Sequence, residues 1–316
     1  MSLQLLRQPP DALRNAARLP TNASVGAPPA DGLFPVVVFN HGYLSYPAQH
    51  SALLQIGQAL GAIAAYAAPT RTAQLDAFRE YAKILRTISA GRLAPVRRDD
   101  VYFVLDRLEE NAIPAASSVA AIVDHERRGY MGNSFGAYIA GMLAQGDPRS
   151  RGVVHLDGGL WSYELADTEL RTPFVTLASD VWEDFRKMPE LPRGMGPGVR
   201  EPLGPQTPSA SDLAYERFAR AGLRPDGFRF VIPGIRHSGV SDLPEPAGAP
   251  VLRGKLGTEA ALTTFTAIQN DLVRGFLDRY VKGAPSDFPA RALAAHPELI
   301  VQDLSWLRDR AEAELH

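Results

Sequence analysis

The sequence predicts an α/β protein in which helices flank a mostly parallel central sheet. Short runs rich in β-branched or aromatic residues recur along the chain, and amphipathic helical patterns alternate with them. The 316 residues are 45% hydrophobic and 22% charged, which is typical of a globular protein and not of a disordered chain. A chain of this length buries enough surface to fold without disulfides, and it contains no cysteine.

The first predicted strand covers residues 34–39, a continuous apolar run that is typical of a central strand buried on both faces. It ends at residues 40–43, Asn-His-Gly-Tyr, a polar break that contains a glycine. Further strands are predicted at residues 128–131, 152–156, 173–177 and 228–232. Each of these runs is followed by a break, as expected where a strand gives way to a loop or helix.

Helices are predicted where apolar residues recur every three or four positions. These patterns cover residues 53–60, 75–88, 101–108, 135–140 and 265–276. The segment 188–210 holds six prolines and four glycines, so it cannot form a regular element. We interpret it as an insertion within one domain that forms either a solvated loop or a lid.

Charge and hydropathy exclude several classes of partner. The net charge is −2 and no block of Lys or Arg stands out, so the sequence does not predict a nucleic-acid partner. No apolar run approaches the roughly 18 residues that a membrane span requires. Residues 1–7 contain no apolar run of signal-peptide length, and export after removal of a leader is equally compatible with the sequence. The sequence predicts no particular compartment or oligomeric state.

Residues 132–136, Gly-Asn-Ser-Phe-Gly, form a G-x-S-x-G motif between a predicted strand and a predicted helix. This is the setting of a nucleophile elbow, in which a sharp turn exposes the serine above the sheet. Bulky side chains two positions before or after the serine would obstruct so tight a turn, which explains both glycines. We therefore predict Ser134 as a nucleophile; the alternative interpretation is a serine that caps a helix.

A serine nucleophile needs a base, and His237 is the best placed of the seven histidines. It follows the last predicted strand in a Gly-flanked loop, where residues past the carboxyl ends of strands face ligands. It also follows the serine in the chain order Ser, acid, His that is typical of α/β-hydrolases. The sequence thus predicts an α/β-hydrolase fold.

Two carboxylates could orient the imidazole of His237. Asp157 ends the predicted strand after the elbow, and Asp180 ends the next one. Both are expected at the carboxyl edge of the sheet, and the pattern alone does not choose between them. Backbone amides of an oxyanion hole are expected at Phe135, directly after the nucleophile, and at Tyr43 in the loop after the first strand.

Together these segments resemble the platelet-activating-factor acetylhydrolase family and its bacterial esterase relatives. The matching pieces are residues 34–42, 131–136, 155–157 and 236–239, and the helical segment 99–106 is similar as well. The resemblance favours Asp157 as the acid, because that family's aspartate follows the elbow on the next strand. It departs at Asn133, where the family usually has His, and at Ala137, where a further Gly is common.

The resemblance and the motif imply a serine hydrolase that cleaves carboxylic esters with short or medium acyl groups, acting on a small ester or lipid-like substrate. No cofactor and no metal are predicted. Amide or peptide cleavage on the same fold, and a non-catalytic binding protein on a hydrolase scaffold, are the alternatives. The expected organisation is an irregular lead-in at 1–33, a catalytic domain at 34–283 with the 188–210 insertion, and a C-terminal extension at 284–316.

Overall fold

The computed structural model describes residues 27–42, 63–66, 90–158, 172–179, 226–240 and 257–301. In this part of the chain seven strands form one sheet in the order β2-β1-β3-β4-β5-β6-β7. The strands are β1 (Phe34–Asn40), β2 (Ile63–Tyr66), β3 (Val123–Asn133), β4 (Ser150–Leu156), β5 (Phe174–Ser179), β6 (Gly227–Ile232) and β7 (Ile300–Val301). All pairings are parallel except that of β7, which runs antiparallel to β6.

Helices cover both faces of the sheet. They are α1 (Ala90–Glu109), α2 (Ser117–Ala120), α3 (Phe135–Gly146), α4 (Glu259–Phe276) and α5 (Ala290–Ala295), with 3₁₀ turns at Pro114–Ala116 and His237–Gly239 and a π-helical turn at Leu277–Lys282. The predicted fold class, a mostly parallel sheet flanked by helices, is confirmed. In the described part of the chain no helix is long and apolar enough to cross a lipid bilayer.

The apolar run of β1 divides its side chains between two core layers. Val36 and Val38 pack with α1 and α3, whereas Val37 and Phe39 pack with α4 on the opposite face. Alternation along the strand therefore buries consecutive hydrophobic residues, which is why the run shows no alternation with polar residues.

The order of the strands places a switch point between β1 and β3. The chain leaves β1 toward β2 on one side and then returns to β3 on the other, from which β4, β5 and β6 follow outward. The last paired residues of the two central strands are Asn40 and Gly132. In open α/β sheets a crevice forms at such a point, outside the carboxyl ends of the strands.

The structure extends or adds to several predicted elements. Strand β3 begins at Val123, five residues before the predicted start, because the charged stretch 124–128 still lies in the strand. Strands β2 and β7 were not predicted, since they are short and lie toward the edges of the sheet. The helices predicted at 53–60 and 75–88 lie outside the described residues, as does the 188–210 insertion.

Residues 284–301 of the predicted C-terminal extension pack against the sheet. Phe288 meets three other aromatic rings edge to face, with ring centroids 4.9 Å from Phe228, 5.7 Å from Phe276 and 6.4 Å from Phe230. Helix α5 and strand β7 follow this aromatic cluster. The domain boundaries at 33/34 and 283/284 stay predictions.

Candidate active site

Ser134 occupies the turn between β3 and α3 in a strained backbone conformation. Its φ is 53° and its ψ is −122°, a combination that residues other than glycine rarely adopt. Two hydrogen bonds hold the turn: the Ser134 N–H donates to the Leu156 carbonyl at 2.9 Å, and the Ala137 N–H donates to the Ser134 carbonyl at 3.0 Å. The conformation therefore persists because neighbouring strand and helix backbones fix it.

The two glycines of the motif are required by close backbone contacts. A Cβ atom at Gly132 would overlap the backbone of Gly136, and one at Gly136 would overlap the carbonyl of Asn40. Helix α3 thus contacts the carboxyl end of β1 directly, and the N-terminus of the helix points at Ser134. The helix dipole favours negative charge at this end.

His237 connects Ser134 to Asp157 through its two ring nitrogens. Nε2 lies 3.0 Å from Ser134 Oγ, and Nδ1 lies 2.6 Å from Asp157 Oδ2. In the tautomer that suits both partners, Nδ1–H donates to the carboxylate and Nε2 accepts from the hydroxyl. The structure therefore brings together the three residues predicted as nucleophile, base and acid, from β3, β4 and β6.

Asp157 is buried at the end of β4, with 1% of its surface exposed and a φ of 46°. Ser179, at the end of β5, donates to it twice: the backbone N–H to Oδ1 at 2.7 Å and the hydroxyl to Oδ2 at 2.8 Å. These donors fix the carboxylate plane relative to the imidazole. Asp180, the alternative acid, lies outside the described residues.

The 3₁₀ turn His237–Gly239 carries the imidazole after β6. Backbone N–H groups of Gly239 and Val240 donate to the carbonyls of Arg236 and His237 at 2.7 and 3.3 Å and close the turn. Burial lowers the pKa of His237, but the hydrogen bond to Asp157 and its negative charge outweigh burial and raise the pKa above 6.5.

The loop after β1 lies against the elbow. A Cβ atom at Gly42 would come within 3.2 Å of Ser134 Cβ, so the glycine permits this close approach. Arg97 from α1 donates to the His41 carbonyl at 3.0 Å, and its guanidinium lies 5.8 Å from the centre of the Phe135 ring. Phe135 is the first residue of α3, while Tyr43 lies outside the described residues.

Two further histidines are buried in neutral form. Burial, together with the charge of Arg97, lowers the pKa of His41 to about 4, although its hydrogen bond with the Gly42 carbonyl acts in the other direction. Burial in β4 lowers the pKa of His155 to about 3. Within the described ranges, no three His, Asp or Glu side chains converge as metal ligands would.

Two polar side chains of this site were not predicted from the sequence. The sequence pattern does not single out Ser179, and it distinguishes Asn133 only as a departure from the family pattern. Both act on the site across strands, so their role depends on the pairing of β3 with β4 and of β4 with β5. Their positions at the carboxyl ends of predicted strands are the sequence signal that could have singled them out.

Comparison with known proteins identifies the fold. No protein-family model matches the chain, and no curated protein matches it. Among solved structures, a ferulic acid esterase from Streptomyces cinnamoneus superposes with a TM-score of 0.66 and 23% sequence identity. The match covers 91% of this chain and 79% of the esterase chain. A dienelactone hydrolase from Anabaena variabilis gives a TM-score of 0.48 and 15% sequence identity. That match covers 79% of this chain and 88% of the hydrolase chain. The chain has the α/β-hydrolase fold.

Proposed function

We propose that this protein is a serine hydrolase that cleaves carboxylic esters with short or medium acyl groups. The observation that carries the proposal is the hydrogen-bonded series Ser134, His237 and Asp157, with distances of 3.0 and 2.6 Å, at a strained elbow. A nucleophile, a base within hydrogen-bond reach and a third group that orients the base are what acyl transfer by a serine requires.

In the proposed acylation step, Ser134 Oγ attacks the ester carbonyl while His237 Nε2 accepts its proton. Asp157 then stabilises the imidazolium through the Nδ1–H bond, and the ester C–O bond breaks as His237 returns the proton to the leaving alcohol. In deacylation a water molecule gives its proton to the same nitrogen and attacks the acyl-enzyme. The acid product leaves and Ser134 regains its proton.

The proposed oxyanion hole consists of the backbone N–H groups of Phe135 and Tyr43. The position of Phe135 directly after Ser134, at the first turn of α3, supports the first donor, because a helix N-terminus favours the negative charge that develops on the oxyanion. The close approach of Gly42 to Ser134 supports a donor from the loop after β1. One such donor contributes on the order of 3 kcal/mol to transition-state stabilisation.

The fold shared with a ferulic acid esterase supports ester bonds as substrates. The sequence resemblance to the platelet-activating-factor acetylhydrolase family points to the same bond class, and membership of that family stays a proposal. Both considerations favour an ester over an amide, and paired p-nitrophenyl ester and p-nitroanilide substrates with the same acyl group measure that preference directly.

The first test is hydrolysis of p-nitrophenyl acetate, its longer acyl homologues and methyl ferulate by wild type and Ser134→Ala. We expect the substitution to lower kcat by about 10,000-fold or more, because the nucleophile is lost while the binding site remains. Labelling by a fluorophosphonate should disappear in parallel.

Ser150→Ala is the matched control, since Ser150 begins β4 at the opposite end of the sheet. It should retain wild-type turnover and labelling. Activity that survives in Ser134→Ala would contradict the assignment of the nucleophile. A folded wild type that neither turns over these substrates nor reacts with the fluorophosphonate would contradict the serine-hydrolase proposal itself.

A further inference from the structure

Asn133, the residue before Ser134, lies among the segments that carry the other members of the proposed machinery. Its side-chain amide donates to the Leu156 carbonyl at 3.1 Å and reaches the Val240 carbonyl at 3.4 Å. Its Oδ1 faces Gly42, where a Cβ atom would come within 3.0 Å of that oxygen. From the end of β3, Asn133 therefore touches the end of β4 and the loops after β1 and β6.

Each carbonyl that accepts from Asn133 is close in sequence to a proposed catalytic residue. Leu156 immediately precedes Asp157, and its carbonyl also accepts the Ser134 N–H at 2.9 Å. Val240 directly follows the 3₁₀ turn that begins at His237, and it is buried with 2% of its surface exposed. One amide group thus links the backbone beside the nucleophile, the acid and the base.

We propose that Asn133 is a positioning residue that anchors the His237 turn to the nucleophile elbow. This inference rests on the proposed serine-hydrolase function. The turn is only three residues long, so fixing the carbonyl of Val240, directly after the turn, restricts the positions open to the imidazole at its start. Restricted motion matters because catalysis depends on Nε2 remaining within hydrogen-bond reach of Ser134 Oγ.

The chemistry of the amide suits this role. Its NH₂ group carries two hydrogens, one for each carbonyl, and the two acceptors determine which way the amide is oriented. A carboxylate of the same shape has no hydrogen to give and would repel both carbonyls. An alanine leaves both buried carbonyls without this donor and removes the link between β3 and the His237 turn.

The test compares wild type, Asn133→Ala, Asn133→Asp and Val153→Ala. Val153 is buried in β4 in the core layer of α1 and α3, so its truncation lowers stability without removing a hydrogen bond from the site. We expect Asn133→Ala to lower kcat by about 10-fold to 100-fold with KM nearly unchanged, because a displaced base slows chemistry more than binding. Asn133→Asp should lose at least as much, and Val153→Ala should keep wild-type kcat below its unfolding temperature.

A second readout does not depend on activity. A proton in a short imidazole–carboxylate hydrogen bond gives a far-downfield NMR signal, and the 2.6 Å bond of His237 Nδ1 is such a bond. If Asn133 anchors the turn, this signal broadens or disappears in Asn133→Ala and Asn133→Asp but persists in Val153→Ala.

A folded Asn133→Ala with wild-type kcat and an unchanged downfield signal would overturn the proposal. So would a loss of kcat that Val153→Ala shares, because the effect would then reflect stability alone. If wild type itself hydrolyses nothing, the proposed function fails. The NMR comparison then still decides whether Asn133 holds His237 in place.

Discussion

The two ends of the sheet each hold a buried aspartate with several hydrogen-bond donors, but the donors differ. At the carboxyl end, Asp157 accepts from Ser179 and from His237. At the amino end, Asp147 accepts from Tyr130 Oη at 2.5 Å, from Arg128 Nη1 at 3.3 Å and from the Arg149 backbone at 3.0 Å.

The amino-end network continues to Glu109 at the end of α1. Arg128 and Arg149 donate to its carboxylate at 3.0 and 2.9 Å, so two arginines link two acidic residues. Burial raises the pKa of Asp147, but the Tyr130 hydroxyl, the Arg149 backbone and the arginine charges outweigh burial and hold that pKa below its ordinary value. Burial and the charge of Asp147 raise the pKa of Tyr102 nearby to about 12.

The comparison shows what a buried carboxylate does when its partner can or cannot change charge. Asp147 is paired with arginine side chains, which act in proteins as fixed cations, so that network holds elements together. Asp157 instead has a histidine partner whose pKa it raises, and in the proposed mechanism this histidine gains and loses a proton. Under the proposed function, stability and chemistry therefore depend on opposite ends of the same strands.

The sharpest test makes the same substitution at both aspartates, beginning with Asp157→Asn. We expect kcat to fall by about 1,000-fold to 10,000-fold, because an amide no longer stabilises the imidazolium or selects the correct tautomer. The unfolding temperature should change little, since the side chain keeps its shape. Steady-state hydrolysis of p-nitrophenyl acetate and thermal unfolding monitored by circular dichroism check both expectations.

Asp147→Asn should show the converse pattern. Removing this charge leaves Arg128 buried beside a neutral amide, which we expect to lower the free energy of unfolding by about 2–4 kcal/mol. Turnover at a temperature where the variant is folded should match wild type. Urea unfolding measures the loss, and a variant as stable as wild type would show that this network contributes nothing to the fold.

Acid should destabilise the protein through the histidines at its carboxyl end. The folded-state pKa values of His41 and His155 lie near 4 and 3, below their unfolded value of 6.5, so the unfolded chain binds more protons as pH falls. Each histidine then lowers the free energy of unfolding by about 1.4 kcal/mol per pH unit below pH 6.5. The raised pKa of His237 stabilises the folded protein below pH 6.5, and that contribution is lost only as pH rises through the folded value.

Urea unfolding between pH 4 and 6.5 measures this slope. His155→Gln removes the contribution of one buried histidine, so it should reduce the slope by about 1.4 kcal/mol per pH unit while leaving His41 in place. An identical slope in wild type and variant would show that His155 is not a neutral buried histidine.

The smallest effect is expected from Ser179→Ala. The variant removes the hydroxyl donor to Asp157 Oδ2 but leaves the backbone donor to Oδ1. With one donor fewer, more negative charge acts on His237 and raises its pKa further, so the acid limb of the kcat/KM profile should move to higher pH. We expect about a 2-fold to 5-fold loss of turnover at neutral pH, in line with one hydrogen bond of about 1 kcal/mol. A limb that moves to lower pH would contradict this account.

The sequence predicted those features that depend on residues close together along the chain. The elbow at Ser134 was visible because a tight turn demands glycine at 132 and 136, and β1 was visible because a strand buried on both faces is continuously apolar. The position of His237 followed from its place after a strand. The fold class was confirmed, whereas the roles of these residues stay proposals.

The remainder depends on contacts between strands, which no local pattern encodes. Choosing between Asp157 and Asp180 from the pattern would have required the positions of strand ends relative to the His237 loop. The contacts of Ser179 and Asn133 follow from the register of β3, β4 and β5. The charged start of β3 concealed five residues of strand, because the polar and charged side chains of residues 124–127 interrupt the apolar pattern there.

The aromatic cluster around Phe288 limits where this chain can be truncated or joined to a tag. A protein shortened at residue 283 would lose Phe288 and β7, leaving the rings of Phe228 and Phe276 without their edge-to-face partner and β6 as an unpaired edge. Uncovered aromatic surface next to an open strand promotes self-association. A reporter or affinity tag therefore belongs beyond residue 301, so that Phe288 and β7 stay in the chain.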